Sequence, residues 1–464
     1  MKTYPKRWQA LNFLIAGAFL SPLDYFIVNM ALPSIKNAFK ASENQLQMVI
    51  AIYGLTYGAL VVCGGRLGDL YGRKKIFTLG LYIFLLSSLA CAFSPTVTGL
   101  IIARLFQGAG ASLLAPQVLA SIKVLFSSNE QPKAVSLFSS VFGLASVLGQ
   151  LLGGLLLSMH WGNFSWELVF LVNVPITIIC IAGIHFTMDN SHKESNAGID
   201  LKGSLLLILA LLMLICPLIF GQKYQWVWWI FAIMISGIVL LVVFLRYEMY
   251  LLKNNHPVLI DPTLLQNKPF ALSLVILFFY NFTSGLFICY PYYLQEFLHQ
   301  DTMQTGLAIV PYGIAFFLAP LIGSKIKLSP NKMIYIGLGL LMGGFILSAL
   351  CFYFQQKPSF ITNIPLFMAG LGHGTIMPVM MRTAITFTTR EKAGQASGLV
   401  SIGIQIGSVM GGAVIGTLFF NMIDILGFPR AFAVSVCMIG AVQIIGMFIN
   451  NKLHQYINAY YHQQ

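Results

Sequence analysis

Two ionisable side chains stand deep within long apolar stretches. Asp24 falls inside Leu11–Leu32 and Arg104 inside Thr98–Phe126. At about 1.5 Å of rise per residue, they lie roughly 12 Å and 9 Å from the ends of their stretches. An acidic residue at membrane depth costs about 2.5–3.5 kcal/mol on insertion scales, so it faces a cavity and does work there. The two stretches are entered from opposite sides, which sets carboxylate and guanidinium at similar depth. A buried guanidinium needs an anion or carbonyls, and the first stretch offers one carboxylate. The competing readings are a carboxylate that reaches the outer interface and an arginine satisfied by backbone carbonyls alone.

A second cluster sits in GGRLGDLYGRKK (64–75). Gly65, Asp69, Gly72, Arg73 and Lys74 form a turn between two helices. Its glycines permit close approach and positive φ, and Asp69 can accept from a helix N-terminus. Gly149, Gly153 and Gly154 allow close helix packing in lipid, with Gln150 adding a polar group among them. Arg382 and the nearby His373 are the polar candidates of the second half, with packing as the rival role for each. The seven cysteines are scattered singly, which fits apolar packing better than metal binding or disulfides. No phosphate-binding loop, serine-hydrolase elbow or zinc signature appears, which argues against an ATP-driven pump or a membrane hydrolase.

The elements that must position these residues are membrane helices. The chain is 57% apolar and 9% charged, with mean hydropathy +0.80, against about 25% charged in a soluble domain. Only helices or a closed barrel satisfy the backbone in lipid, and apolar runs of about twenty residues are helical in length. Seven such stretches are Leu11–Leu32, Leu46–Gly64, Ile76–Phe93, Thr98–Phe126, Ala134–Met159, Leu168–Phe186 and Leu201–Phe220. Seven more are Trp226–Leu245, Phe270–Leu294, Gly306–Ile322, Met333–Phe354, Ile364–Phe387, Gly398–Met422 and Ala431–Ile449.

With the N-terminus inside, 20 of the 27 Lys and Arg fall inside, five outside, and two (Arg104 and Arg382) are buried within spans. This is the positive-inside pattern of an even number of spans with both termini cytoplasmic. The net charge of +13 therefore reports orientation rather than a nucleic-acid partner. The basic start followed by an apolar run reads as an uncleaved first helix.

Repeats indicate two lobes. GAGASLLAP (108–116) and GLGHGTIMP (370–378) share Gly, Gly and Pro at identical spacing, and GQLLGG (149–154) pairs with GSVMGG (407–412). GGRLGDLYGRKK has a faded counterpart in IGSKIKLSPNK (322–332), where Lys327 takes the place of Asp69. Such repeats mark transporters that rock two bundles about a central site.

LDYFIVNMALPSI (23–35), GGRLGDLYGRKK and RLFQGAGA (104–111) together resemble the fourteen-helix drug–proton antiporter branch of the major facilitator superfamily. WELVFLVNVP (166–175), IDLKG (199–203), YYLQEFL (292–298) and GLAIVP (306–311) also look like that branch. The resemblance implies an all-α polytopic fold with a six-helix lobe over 1–187, two inserted helices and linkers over 188–268, and a second six-helix lobe over 269–464. It implies efflux of lipophilic, often cationic compounds, with Asp24 as the proton site tuned by Arg104 and residues 65–74 as a latch between lobes. The energy source is then a proton gradient with no cofactor, and the partners are lipid, proton and a small lipophilic substrate. A monomer in the plasma (inner) membrane is expected, with any periplasmic adaptor left open. Two departures stand against antiport: Gln150 replaces the branch's usual proline, and Glu167 replaces its usual basic residue. A transporter of one metabolite on the same fold is the rival, and a non-transporting sensor or a channel a more distant one.

The charge sorting makes a direct prediction. Single cysteines placed in 188–200 and 254–268 of a Cys-free variant should resist impermeant thiol reagents added outside intact cells. Labelling of both from outside would overturn the orientation.

Overall fold

A lipid-embedded backbone has no water to bond, so each crossing segment must close its hydrogen bonds internally. The computed structural model describes residues 5–158, 165–189, 200–221, 224–326, 328–355, 358–389 and 391–462, and among them every regular element is a helix. Lys2, Lys193, Lys223, Lys327, Lys357 and Arg390 of the charge sorting, and most of the 188–200 loop, lie outside the described residues.

Among the described residues, fourteen helices are long and apolar enough to cross a membrane. Spans 1–7 are Arg7–Phe39, Met48–Tyr71, Arg73–Ala92, Val97–Leu125, Gln131–Leu157, Leu168–Thr187 and Leu201–Leu218. Spans 8–14 are Trp228–Lys253, Lys268–Phe297, Met303–Gly323, Pro330–Phe354, Phe360–Thr386, Ala393–Leu426 and Phe428–Tyr456. The expected count of crossings is present, including both members of the 201–245 pair. The face of the bundle that carries Arg66, Arg73 and Lys74 is called the basic end below.

Span starts are capped by short polar side chains. Ser42, Asp301 and Ser359 each close a capping box, while Thr96 and Asp200 accept from Gly99 and Gly203. Gly72 adopts φ +96° and joins spans 2 and 3 in a turn that an L side chain enters only with strain. Span 4 breaks at Leu113–Leu114, ahead of Pro116, and span 9 passes through a 3₁₀ turn at Asn281–Gly285.

Within the first half, spans 2, 3 and 4 pack together and span 1 lies on span 5; in the second half, span 12 packs on both span 10 and span 11, and span 9 lies on spans 13 and 14. The halves meet through spans 2 and 13 and through spans 5 and 10. Span 7 rests on spans 2 and 13, with span 8 packed along span 7.

The sequence repeats recur as equivalent helix crossings. Gly110 of span 4 meets the backbone of Gly80 and Phe84 in span 3, and Gly372 of span 12 meets Gly337 and Leu341 in span 11. Gly108 rests on the carbonyl of Tyr53 in span 2, and Gly370 on that of Tyr312 in span 10. Gly149 lies on Leu23 and Phe26 of span 1, and Gly407 on Phe278 of span 9. Small residues permit this approach where lipid supplies no hydrophobic drive between helices.

These crossings set a contrast in tolerance. Gly110→Val should lower the thermal midpoint in detergent, because overpacking against backbone costs about 1–3 kcal/mol. Gly339→Ala meets open space and should be neutral or stabilising by up to about 1 kcal/mol. Equal effects of the two changes would refute the crossing geometry.

Candidate functional site

Span 1 carries Asp24 into the interior of the first half, where neither it nor Arg104 of span 4 has any solvent exposure. Burial at this depth leaves each charge dependent on protein partners. Arg104 Nη1 donates to Asp24 Oδ2, and the two form an ion pair. Asp24 Oδ1 accepts from Gln107 Nε2 at 2.9 Å and from Asn173 Nδ2 of span 6 at 3.0 Å.

The guanidinium is held from three further directions. Its Nη1 also donates to Gln107 Oε1 at 2.7 Å, and its Nε donates to the carbonyl of Val49 at 3.0 Å. Its carbon lies 4.2 Å from the ring centroid of Tyr53, within cation–π range. Tyr53 in turn pairs its hydroxyl with Ser21 Oγ of span 1 at 2.8 Å. Gln107 also donates to Ser88 Oγ of span 3 at 3.0 Å. Spans 1, 2, 3, 4 and 6 thus converge on one carboxylate. Arg104 Nη2 and Asn173 Oδ1 have no hydrogen-bond partner here.

Sequence reasoning paired Asp24 with Arg104 but did not single out Gln107, Asn173 or Tyr53. Gln107 carried a signal, since it stands three residues from Arg104 on the same helical face. Asn173 stood alone among apolar residues in LVFLVNVP (168–175). Tyr53 gave none, because its role depends on how span 2 crosses span 4.

The basic end brings the halves together. Gly65 meets the backbone of Gly394 at the start of span 13, and Asp69 Oδ2 lies against the same glycine. Asp69 is paired with Arg73 at 2.8 Å, with its side chain 2% exposed. Ser397 Oγ donates to the carbonyl of Pro116 at 2.9 Å, and Gln405 Nε2 to that of Gly54 at 3.4 Å. Gln117 Nε2 donates to the carbonyl of Gly64 at 2.7 Å, and its amide fills the space over Gly68. Lys74 turns away from this contact and donates to the carbonyl of His185 at 3.0 Å, near the end of span 6.

Just beyond, Asp261 and Lys392 form an ion pair, and the Asp261 N–H donates to Gln395 Oε1 at 2.7 Å. Burial alone would raise the Asp261 carboxyl, but hydrogen bonds from Lys392 and Thr263 outweigh it and hold it below the usual carboxylate range.

In span 5, Gly149 and Gly153 pack on span 1, Gly154 faces Met303, and Gln150 lies buried beside Gly306 of span 10. Gln150 therefore sits at a seam between the halves, in a helix that runs unbroken over Gln131–Ser158.

In the second half, His373 and Arg382 do not meet. They stand nine residues apart on span 12, about 13 Å of helical rise. His373 is buried; its Nδ1 bonds the Tyr312 hydroxyl, its carbonyl accepts from the Tyr280 hydroxyl at 2.9 Å, and its ring stacks on Phe316 at 4.1 Å. Arg382 corrects the sequence expectation of burial. It is exposed and lines a cavity of about 410 Å³ at the basic end, together with Ser136, Thr383 and His454. Near the basic end, its long side chain reaches polar surroundings. That cavity does not include Asp24 or its partners.

The family model of the Major Facilitator Superfamily matches residues 14–213 and 201–412. The chain is 30% identical to the Probable actinorhodin transporter of Streptomyces coelicolor, over 90% of this chain and 74% of that one. It is 29% identical to the Multidrug resistance protein Stp of Mycobacterium tuberculosis, over 89% and 76%. It is also 30% identical to the Riboflavin transporter RibZ of Clostridioides difficile, over 69% and 68%. The crystal structure of the human organic anion transporter MFSD10 (TETRAN) superposes with a TM-score of 0.69 at 13% identity, covering 96% of this chain and 99% of that one; at that identity the likeness is one of fold.

A thermodynamic cycle tests the buried pair. Arg104→Met should destabilise the detergent-solubilised protein by about 3–5 kcal/mol, because it leaves Asp24 uncompensated. Adding Asp24→Asn should recover most of that loss. Purely additive losses in thermal midpoint would show that the two groups do not act as a pair.

Proposed function

The chain belongs to the major facilitator superfamily, and we propose that this multi-pass membrane transporter expels lipophilic, often cationic compounds in exchange for protons. The observation that carries the reading is Asp24, a carboxylate without solvent exposure that is paired with Arg104 and bound by Gln107 and Asn173. Intramembrane acids of this kind mark proton relays and substrate paths. The relatives named for multidrug resistance and actinorhodin transport support the substrate class.

The proton acts through Arg104. When Asp24 is protonated, the guanidinium loses its counter-charge but keeps the Val49 carbonyl and the Tyr53 face, both on span 2. Tyr53 and Asp69 stand sixteen residues apart on that span, about 24 Å of rise. Span 2 thus links the proton site to Gly65 and Asp69 at the basic end, which serves as the latch. The contacts of Gly65 and Asp69 with Gly394, with Ser397 on Pro116, support the reading of a latch that is closed in this conformation. The basic end faces the cytoplasm in the inner membrane, and the protein works as a monomer without a cofactor, driven by the proton gradient.

A second reading, transport of one metabolite, draws on the likeness to a riboflavin transporter and on Gln150 at the seam between the halves. The two readings part in proteoliposomes. Under the first, substrate addition releases protons, and Asp24→Asn abolishes uphill efflux driven by a pH gradient while downhill exchange persists. Asp69→Asn should fold and insert normally yet raise the thiol reactivity of a cysteine placed at the basic end, such as Ser397→Cys, whose side chain reaches Pro116 across the seam. Uphill efflux by Asp24→Asn at the wild-type rate would move proton coupling away from Asp24, and wild-type transport that is only downhill and releases no protons would replace the antiport reading with the uniport one.

A further inference from the structure

Glu248 lies in the last turns of span 8, is fully buried, and has no part in the transport cycle proposed above. Its Oε2 accepts from the backbone N–H groups of Leu259 at 2.9 Å and Ile260 at 3.2 Å. It thereby fastens the strap that leads from span 8 to span 9. Asp200 caps the neighbouring span 7, with its Oδ1 accepting from the Gly203 N–H at 2.9 Å.

The remaining oxygens of the two carboxyls face each other. Glu248 Oε1 and Asp200 Oδ2 are buried and lack a donor. Both oxygens crowd the same point above Gly203, where any Cβ would strike them.

Among the described residues the surroundings supply no counter-charge. Among the described residues no basic side chain forms an ion pair with either carboxyl. Lys202 on span 7, Arg246 and Lys253 on span 8 and His256 on the strap are exposed. Tyr247 presents a neutral hydroxyl beside Asp200. On the span 2 side, Ser204 reaches Cys63, which is also neutral. Asp261, further along the strap, is already committed to Lys392. Two facing carboxyls with no cation among the described residues repel one another when both are ionised, and a shared proton relieves that repulsion.

We propose that Asp200 and Glu248 hold one proton between them, a second proton-binding site remote from Asp24. The proton sits between Glu248 Oε1 and Asp200 Oδ2, so the pair carries one negative charge in total. The bound proton lets spans 7 and 8 close onto the strap, whose next residue, Asp261, grips Gln395 and Lys392 beside the Gly394 contact. The two inserted spans are thereby tied to the basic end of span 13.

Infrared difference spectroscopy on the purified full chain at pH 7 tests this without any transport measurement. The carboxylic-acid carbonyl band should be present in wild type, persist in Asp24→Asn, and disappear in both Glu248→Gln and Asp200→Asn. Either amide can donate to the remaining carboxylate, so both variants should fold, and either alone suffices. Retention of the band in both variants would overturn the proposal. So would its absence from wild type, with a thermal midpoint that rises on adding Na⁺ or Ca²⁺, which assigns a metal cation to the site. Neither result depends on what the protein exports.

Discussion

A charge inside a bilayer has to bring its solvent with it, and much of this structure follows from how Asp24 does so. Water would have cost the carboxylate nothing; here a guanidinium and two amides on spans 4 and 6 take its place, and a tyrosine face and a backbone carbonyl of span 2 hold the guanidinium in turn. Each donor is fixed by a helix that cannot move without breaking other bonds. The cluster therefore ties spans 1, 2, 3, 4 and 6 to one another through a single carboxylate.

The two halves apply one packing scheme to two chemistries. Gly108 on Tyr53 and Gly370 on Tyr312 are the same crossing, as are Gly110 on Gly80 and Gly372 on Gly337. In the first half the tyrosine ring faces Arg104; in the second the tyrosine hydroxyl meets His373. Backbone geometry was kept while the polar groups diverged. The second half holds no ion pair at the equivalent depth among the described residues, so the charged machinery is one-sided.

The inserted spans 7 and 8 are not passive filler between the halves. Span 7 touches both span 2 and span 13, the helices that close the basic end. The strap after span 8 reaches Gln395 and Lys392 on span 13. A buried carboxylate anchors that strap, and its cost is offset only by partners that the fold assembles around it.

The sequence by itself determined that this is a fourteen-crossing helical bundle with two related halves. Length of apolar runs, sorting of basic residues and repeated glycines each follow from local physics: 1.5 Å of rise per residue, the cost of charge in lipid, and the space a missing Cβ leaves. It also placed Asp24 and Arg104 at matching depth. Only the tertiary structure decided that they touch, and that Gln107, Asn173 and Tyr53 join them. It likewise separated Arg382 from His373, sent Lys74 to span 6 rather than to span 13, and set Glu248 against Asp200. The reason is rotational. Depth along a helix is fixed by residue count, but the direction a side chain faces, and which neighbour it meets, depends on how helices far apart in the chain turn against one another.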